Sequence, residues 1–205
     1  MNPTLIPKLI KDIKRVPSTA TLRNPYHSPS CILNLKVYLE TSCSYPYSGH
    51  LLIGEAPGHK GCALTGVPFT SQRVLSASTA PFISRLKPAL AISGNETEAS
   101  ATIVWDYLCG CSTVPAMWNV FPFHPHKCGN LNSNRTPKVS EVHTGKQYVQ
   151  IILEILCPHT VIAVGSTSAR ALGHLFPHLP IKTVRHPSFG GKSDFLAGIR
   201  AAGIR

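Results

Sequence analysis

The clearest indication of the fold is the stretch LLIGEAPGHKGCALTGVPFTS, residues 51–71. It begins with a short apolar run, LLIG at 51–54, and continues into a segment in which Gly54, Pro57 and Gly58 require a tight turn. A short apolar run that ends in turn residues is typical of a buried strand. The stretch therefore predicts a strand whose carboxyl end passes directly into a loop.

Three further runs of this kind follow along the chain: MWNVF at 117–121, TVIAVG at 160–165 and IKTVRH at 181–186. Helical patterns separate them. We expect Ser140 to cap a helix over 140–156 and Ser166 to cap a helix in 166–176. Strands that alternate with helices predict an α/β protein, a three-layer α/β/α sandwich around a four-stranded, mainly parallel sheet.

The N-terminal quarter of the chain does not follow this alternation. An amphipathic helix is predicted within residues 1–20 from apolar residues at helical spacing, namely Leu5, Ile6, Leu9, Ile10 and Ile13. Residues 18–49 are rich in Ser, Pro, Tyr and Thr and give no clear pattern, although CILNLKVYL at 31–39 interrupts them. We expect one domain over 1–205, with 1–48 as a helical or irregular extension and 49–200 as the core.

The charge of the chain points to a polyanionic partner. Among 205 residues, 20 lysines and arginines stand against 9 acidic residues, which gives a formal net charge of +11. No run approaches the roughly 18 apolar residues of a membrane span, and the N-terminus lacks the apolar core of a secretory signal. We therefore expect a monomer without a membrane partner, cytoplasmic or, in a prokaryote, associated with the nucleoid, with its seven cysteines reduced.

Polar and aromatic residues with possible chemistry lie at the ends of the predicted strands. Glu55 follows the first strand, Asn119 lies within the second and His186 ends the fourth, while Phe69 belongs to the GVPF turn. In an open parallel sheet, ligands bind beyond the carboxyl ends of the strands. Taken singly, each polar side chain also has a structural interpretation, as a loop carboxylate, an amide tie or a capping histidine.

Together these segments resemble the uracil-DNA glycosylase superfamily, and most of all its GEAPG-type branch, family four. The resemblance covers roughly residues 49–200. It rests on GEAPG at 54–58, GVPF at 66–69, the strand asparagine in WNV, AVGSTSARAL at 163–172 and HPS at 186–188. It implies a DNA repair enzyme that flips uracil out of DNA and hydrolyses the N-glycosidic bond, leaving an abasic site without a cofactor.

The resemblance also implies roles for the base pocket. Glu55 would orient the attacking water and stabilise the positively charged sugar, and His186 would donate a hydrogen bond to uracil O2. Asn119 would read the Watson–Crick edge of the base, and Phe69 would stack on it. Gly54 and Ala56, on either side of Glu55, are assigned to the same base-binding set.

Contacts to DNA are implied mainly by the segment around HPS. Phe189 would fill the hole that the flipped base leaves, and Gly190 would let the loop approach the backbone. Arg185 and Lys192 are candidate phosphate contacts. Ser188, and Ser166 in the AVGSTSARAL segment, are assigned to DNA binding as well.

The chain departs from the family pattern at two places. Family-four enzymes hold an iron–sulfur cluster on four cysteines, whereas here Cys31 and Cys43 are too far apart for the close pair and Phe123 occupies the loop position. We therefore predict no cluster and no metal. Another branch excludes thymine with a tyrosine where this chain has Gly58, so the choice among uracil, hypoxanthine and mismatched thymine stays open.

Two other hypotheses remain as alternatives to an enzyme of this superfamily, a metal-binding site and a DNA-binding protein without activity. Five potential metal ligands occur within twenty residues, but their spacing fits no familiar zinc site: Cys109, Cys111, His124, His126 and Cys128. A catalytically silent relative that only binds DNA would also explain the basic charge. The presence of Glu55, Asn119 and His186 together favours the enzyme.

Overall fold

The computed structural model describes all residues from 1 to 205. Short 3-10 turns lie at Pro3–Leu5, Pro25–His27 and Lys87–Ala89. The remaining elements, in chain order, are α1 (Ile6–Lys14), β1 (Leu22–Arg23), α2 (Pro29–Ser44), β2 (Tyr47–Gly54), α3 (Cys62–Thr65), α4 (Gln72–Ala77), α5 (Pro81–Leu86), α6 (Ala99–Leu108), β3 (Val114–Asn119), β4 (His124–Pro125), α7 (Val139–Leu156), β5 (Thr160–Val164), α8 (Ser166–Leu175), β6 (Ile181–Val184) and α9 (Lys192–Ala201).

The main sheet has four strands in the order β3-β2-β5-β6, and every neighbouring pair is parallel. The connections through α7 and α8 cross the sheet in one direction, whereas the connection from β2 to β3 runs in the opposite direction. Because such crossovers are right-handed, this order places helices on both faces. The predicted three-layer α/β fold is confirmed, and β1 and β4 form a separate antiparallel pair.

The central strands are apolar because both of their faces are covered. Leu51, Leu52 and Ile53 of β2 and Ile162 and Ala163 of β5 are at most 1% exposed, as expected for strands between two helical layers. They belong to a continuous core of 47 buried residues that includes residues of α1 and extends to the last turn of the chain. No helix has the length and apolar character needed to cross a membrane.

The N-terminal region is more regular than the sequence suggests. The amphipathic helix predicted within residues 1–20 is confirmed as α1, whose Ile6, Leu9 and Ile13 are buried. However, residues 29–44 form one continuous helix, α2, where no clear structure was expected. Its buried face includes Asn34 and Ser42 among apolar residues, so the apolar periodicity that would predict a helix is interrupted.

The helix caps predicted at Ser140 and Ser166 are both wrong, because each helix begins slightly earlier than expected. Helix α7 begins at Val139, so Ser140 lies inside it, and the Glu141 carboxylate accepts a hydrogen bond from the backbone N–H of Lys138. Ser166 is the first residue of α8 and makes no capping bond. The cap position is Gly165, with a φ of 91°, which allows the turn to pack closely against His186.

A tyrosine from α2 completes the hydrogen bonding of the edge strand β3. The Tyr38 hydroxyl donates to the carbonyl oxygen of Met117 at 2.9 Å and accepts from the N–H of the same residue at 2.6 Å. All these groups are buried. The hydroxyl therefore satisfies a donor and an acceptor that an edge strand would otherwise leave unpaired.

We predict that Tyr38→Phe destabilises the protein by about 1–3 kcal/mol, because two buried backbone groups lose their partner. Equilibrium unfolding in urea measures the loss. The matched control is Tyr47→Phe, which removes a buried hydroxyl that has no hydrogen-bond partner and so should cost little. Equal unfolding free energies for the two variants would contradict the role of Tyr38.

Candidate active site

A cavity of about 450 Å³ opens at the carboxyl ends of β2 and β3. Eight of the residues selected from the sequence line it: Gly54, Glu55, Ala56, Phe69, Asn119, His186, Ser188 and Phe189. They come from four separate segments of the chain, which the parallel sheet brings to one edge.

The pairing of β2 with β3 places Gly54 opposite Asn119. A Cβ atom at Gly54 would lie 2.8 Å from both Oδ1 of Asn119 and Cζ of Phe69. Only glycine leaves room for the amide and the ring to approach the strand this closely. The floor of the cavity is thus a buried amide beside an aromatic ring, which together suit a flat heterocycle with polar edges.

Phe69 is held in an unusual conformation by a neighbouring helix. Its φ is +55°, a left-handed value that non-glycine residues rarely adopt. The indole N–H of Trp105 in α6 donates to the Phe69 carbonyl oxygen at 2.9 Å. Strained backbone persists where the surroundings impose it, and such strain clusters at ligand sites.

Glu55 presents a poorly solvated carboxylate to the cavity. Burial raises the pKa of its carboxyl group, and the Thr136 side chain partly offsets this effect by hydrogen bonding. One carboxylate oxygen, Oε1, is buried and has no hydrogen-bond partner within the protein. A buried acceptor without a partner is rare, and such groups often have a catalytic role.

The contacts of His186 fix which ring nitrogen carries the proton. Nδ1 accepts from the backbone N–H of Ser188 at 3.2 Å, and the Ser188 hydroxyl lies 2.7 Å from the same nitrogen. Burial, with a further contribution from Arg185, lowers the pKa of His186. The neutral imidazole therefore carries its proton on Nε2, where it can donate to a ligand.

A serine from α6 extends this hydrogen-bonded chain. The Ser100 hydroxyl lies 3.0 Å from that of Ser188, so α6 supports His186 through two serines. Sequence reasoning missed Ser100. No motif surrounds it, and it is 88 residues away from its partner in the chain.

Phe189 lies at the rim of the cavity and is 98% exposed. Its φ is +52°, and the following Gly190 also has a positive φ of 77°. Because the ring is exposed on a strained loop, packing against the protein core does not stabilise it. The loop therefore presents the ring outward, toward whatever occupies the mouth of the cavity.

The other four residues assigned to DNA do not line the cavity: Arg185, Gly190, Lys192 and Ser166. All four are exposed. Arg185 and Gly190 lie in the loop between β6 and α9, Lys192 begins α9 and Ser166 begins α8. Their assignment to DNA stays a prediction.

The cavity has a further wall that the sequence did not reveal. Asn134, Arg135 and Thr136 line it from the loop before α7. The Arg135 guanidinium binds both oxygens of Glu141, at 2.7 and 2.6 Å, so its charge is already paired. The only sequence signal is the short spacing between Arg135 and Glu141, which is common in loops that lead into helices.

Glu98 and Cys62 also line the cavity and were not predicted. Glu98 is the residue just before α6, and Cys62 begins α3. Glu98 is thus a second acidic side chain at the same site as Glu55.

The five potential metal ligands between residues 109 and 128 do not converge, and no group of three His, Cys, Asp or Glu residues is placed to hold a metal ion. His124 instead hydrogen bonds through Nδ1 to the Pro57 carbonyl oxygen at 2.8 Å, which ties β4 to the loop after β2. Cys31 and Cys43 both lie in α2, and all seven cysteines are free.

Comparison with known proteins identifies a matching family and a similar fold. The family model described as the uracil DNA glycosylase superfamily matches residues 45–196. Among solved structures, the crystal structure of wild-type SMUG2 from Pedobacter heparinus superposes with a TM-score of 0.67 at 14% identity, over 97% of this chain and 94% of that one. No curated protein matches the chain in sequence.

We predict that Arg185→Gln raises the pKa of His186, because the arginine charge disfavours the imidazolium. NMR titration of the His186 ring protons measures the change. Lys182→Gln is the matched control, since Lys182 is exposed on β6 and does not contribute to the His186 shift. An unchanged or lowered pKa in Arg185→Gln would contradict the electrostatic coupling.

Proposed function

Because the chain belongs to the uracil-DNA glycosylase superfamily, we propose that it is a DNA repair glycosylase that flips uracil out of DNA and hydrolyses its N-glycosidic bond. The observation that carries the proposal is the convergence of Glu55, Phe69, Asn119 and His186 in one cavity. The product is an abasic site with an uncut backbone. We further propose that residues 1–205 act as one domain and as a monomer.

Glu55 acts on the sugar and the water. Cleavage of the glycosidic bond develops positive charge on the sugar, which a nearby carboxylate stabilises. The Glu55 carboxylate lines the cavity and accepts a proton from the attacking water. Since the carboxylate is poorly solvated, its interaction with the developing charge is stronger than it would be in water.

His186 acts on the departing base. As the bond breaks, negative charge accumulates on the base, and uracil O2 receives part of it. The proton that Ser188 keeps on Nε2 is available as a hydrogen-bond donor to this oxygen. A neutral donor fixed before the reaction begins stabilises the transition state without rearrangement of the site.

Asn119 and Phe69 select and hold the base. An amide offers one donor and one acceptor, which match uracil O4 and N3–H together. Phe69 supplies a ring against which the base stacks. The close approach of both side chains at Gly54 sets their relative position.

The outer surface supplies the contacts to DNA. Phe189 at the rim enters the base stack in place of the flipped nucleotide. Arg185 and Lys192, both exposed, contact phosphates on either side of it, and Ser166, Ser188 and Gly190 approach the backbone. No lysine lines the cavity, so no amine is available for the covalent step of a lyase.

We predict that the protein cleaves oligonucleotides that contain uracil, with the cut detected after alkali treatment. The substrates to be compared are uracil opposite G, uracil opposite A, single-stranded uracil, hypoxanthine and mismatched thymine. His186→Ala should lower kcat about 100-fold or more, because a donor to the leaving base is lost. Glu55→Gln should cause a loss of similar size, and Asn119→Ala a fall in kcat/KM of at least about tenfold.

The controls for this panel are exposed residues of the same types, His174→Ala, Glu154→Gln and Asn132→Ala, which should keep full activity. Cleavage of hypoxanthine or mismatched thymine instead of uracil would reassign the substrate. A folded wild-type protein that binds DNA and cleaves none of the substrates would support the catalytically silent alternative.

We predict that Phe189→Ala lowers activity on double-stranded uracil DNA more than on single-stranded DNA, because only the duplex leaves a hole to fill. Thermal stability should stay the same or rise, since the side chain is exposed and its backbone strained. Leu131→Ala removes another exposed apolar side chain and is the control. Equal losses on both substrates would argue against a wedge.

A further inference from the structure

Glu98 is built into the wall of the cavity by two glycines. Its carboxylate lies directly over Gly58 and Gly61, in the loop between β2 and α3. A Cβ atom at Gly58 would overlap Oε1, and one at Gly61 would overlap Oε2. Apart from Gly58 and its chain neighbours, no atom outside Glu98 lies within 4 Å of a Cβ atom at Gly58. The absence of side chains at the two glycines therefore leaves the space that the Glu98 carboxyl group occupies.

The carboxyl group of Glu98 has no partner in the protein. Two other acids nearby are paired: Glu96 faces Lys60 at 3.8 Å and Glu141 binds Arg135. No hydrogen bond or charge offsets the burial of Glu98, which raises its pKa to about 7. Near neutral pH, a large fraction of the group is thus a carboxylic acid.

A neutral carboxylic acid has a definite recognition property. It donates one hydrogen bond through its hydroxyl and accepts another through its carbonyl. The donated bond suits a carbonyl oxygen, which uracil and hypoxanthine carry at the position where cytosine and adenine carry an amino group. A polar group buried in a pocket rejects ligands that leave it unpaired.

We propose that Glu98 is a specificity-determining residue that donates a hydrogen bond from its carboxylic acid form to a carbonyl oxygen of the flipped base. The inference rests on the proposed function and deepens it, because it names a carbonyl oxygen of the flipped base as the feature that the second acid recognises. It assigns the second acid of the cavity a task distinct from that of Glu55.

Other ionisable groups surround the site, and one of them, Cys62, has its pKa raised in part by the charge of Glu98. Those that line the cavity with Glu98 are Glu55, Cys62, Arg135 and His186, and Lys60 pairs with Glu96 on the adjacent segment. Arg135 and Cys62 do not change charge between pH 6 and 8.5, since the pKa of each is raised. A variant that removes only the ionisation of Glu98 is therefore needed to isolate its effect.

Glu98→Gln provides that variant, because an amide of the same shape donates and accepts but does not titrate. We expect kcat/KM of the wild type on uracil DNA to fall about tenfold or more between pH 6 and pH 8.5, as the acid form is lost. Glu98→Gln should lack this fall. Glu98→Ala should lose about tenfold at pH 6 and also lack it.

Gly58→Ala tests the same contact without removing the carboxyl group. The added methyl displaces Glu98, so activity at pH 6 should fall as in Glu98→Ala. In the Glu98→Ala background the methyl meets open space, so Gly58→Ala should add little further loss. Additive losses in this cycle would overturn the proposal.

Stability provides a readout that needs no substrate. The native state keeps a proton on Glu98 that the unfolded state releases, so wild-type stability falls relative to Glu98→Gln as pH rises from 5 to 8. The difference in Tm between the two proteins should grow over this range. A constant difference would show that the group does not titrate as proposed and would overturn the inference.

The two proposals fail in different ways. Wild-type protein that cleaves uracil DNA with the same pH profile as Glu98→Gln, or Glu98→Ala with full activity at pH 6, would overturn only the role of Glu98. Wild-type protein that cleaves none of the substrates would overturn the proposed function, and the role of Glu98 in selecting a base would fall with it.

Discussion

The parallel pairing of β2 with β3 aligns Gly54 with Asn119 at the carboxyl edge of the sheet. This register determines where the amide stands relative to Glu55, the next residue after the strand. A shift by one residue would turn every side chain of β3 to the opposite face and move Asn119 out of the cavity. The missing side chain at Gly54 then brings Asn119 and Phe69 together. The site thus depends on strand register before it depends on any single functional group.

Helix α6 supports three walls of the same cavity. Through Trp105 it holds the carbonyl group of Phe69, through Ser100 and Ser188 it supports His186, and just before its first turn it supplies Glu98. A displacement of this one helix would move Phe69, His186 and Glu98 together. Preorganised sites gain their effect from groups that do not rearrange during reaction, and α6 provides such rigidity.

The fold was predictable because its strands carry a strong physical signal. Central parallel strands are buried on both faces, so LLIG and TVIAVG appear as uninterrupted apolar runs. Helix α2 gave no such signal, since its buried face includes Asn34, whose partners lie far along the chain, and Ser42, which donates to the Tyr38 carbonyl oxygen one turn earlier. Asn34, for example, binds Thr65 and Ala91. Polar residues buried by long-range contacts look like surface residues in a sequence.

The site was predictable in part for the same reason. Glu55, Asn119 and His186 adjoin recognisable strands and belong to motifs, so their convergence followed from the topology. Ser100 and Glu98 lie in a helix and loop without a motif, and only the tertiary position of α6 brings them to the cavity. Ser140 and Ser166 were misplaced as caps because a glycine or an acid nearby can satisfy a helix start equally well.

The net charge of the chain is opposite in sign to that of the unpaired acids that line the cavity. The chain carries a net charge of +11, and Arg185 and Lys192, on either side of Phe189 in the chain, are exposed. The interior holds two acids without cationic partners, Glu55 and Glu98. The one cation lining the cavity, Arg135, is paired with Glu141. A phosphate is therefore attracted to the surface and repelled from the interior. A neutral base can enter, and positive charge that develops on an attached sugar meets the Glu55 carboxylate, whose weak solvation strengthens the attraction.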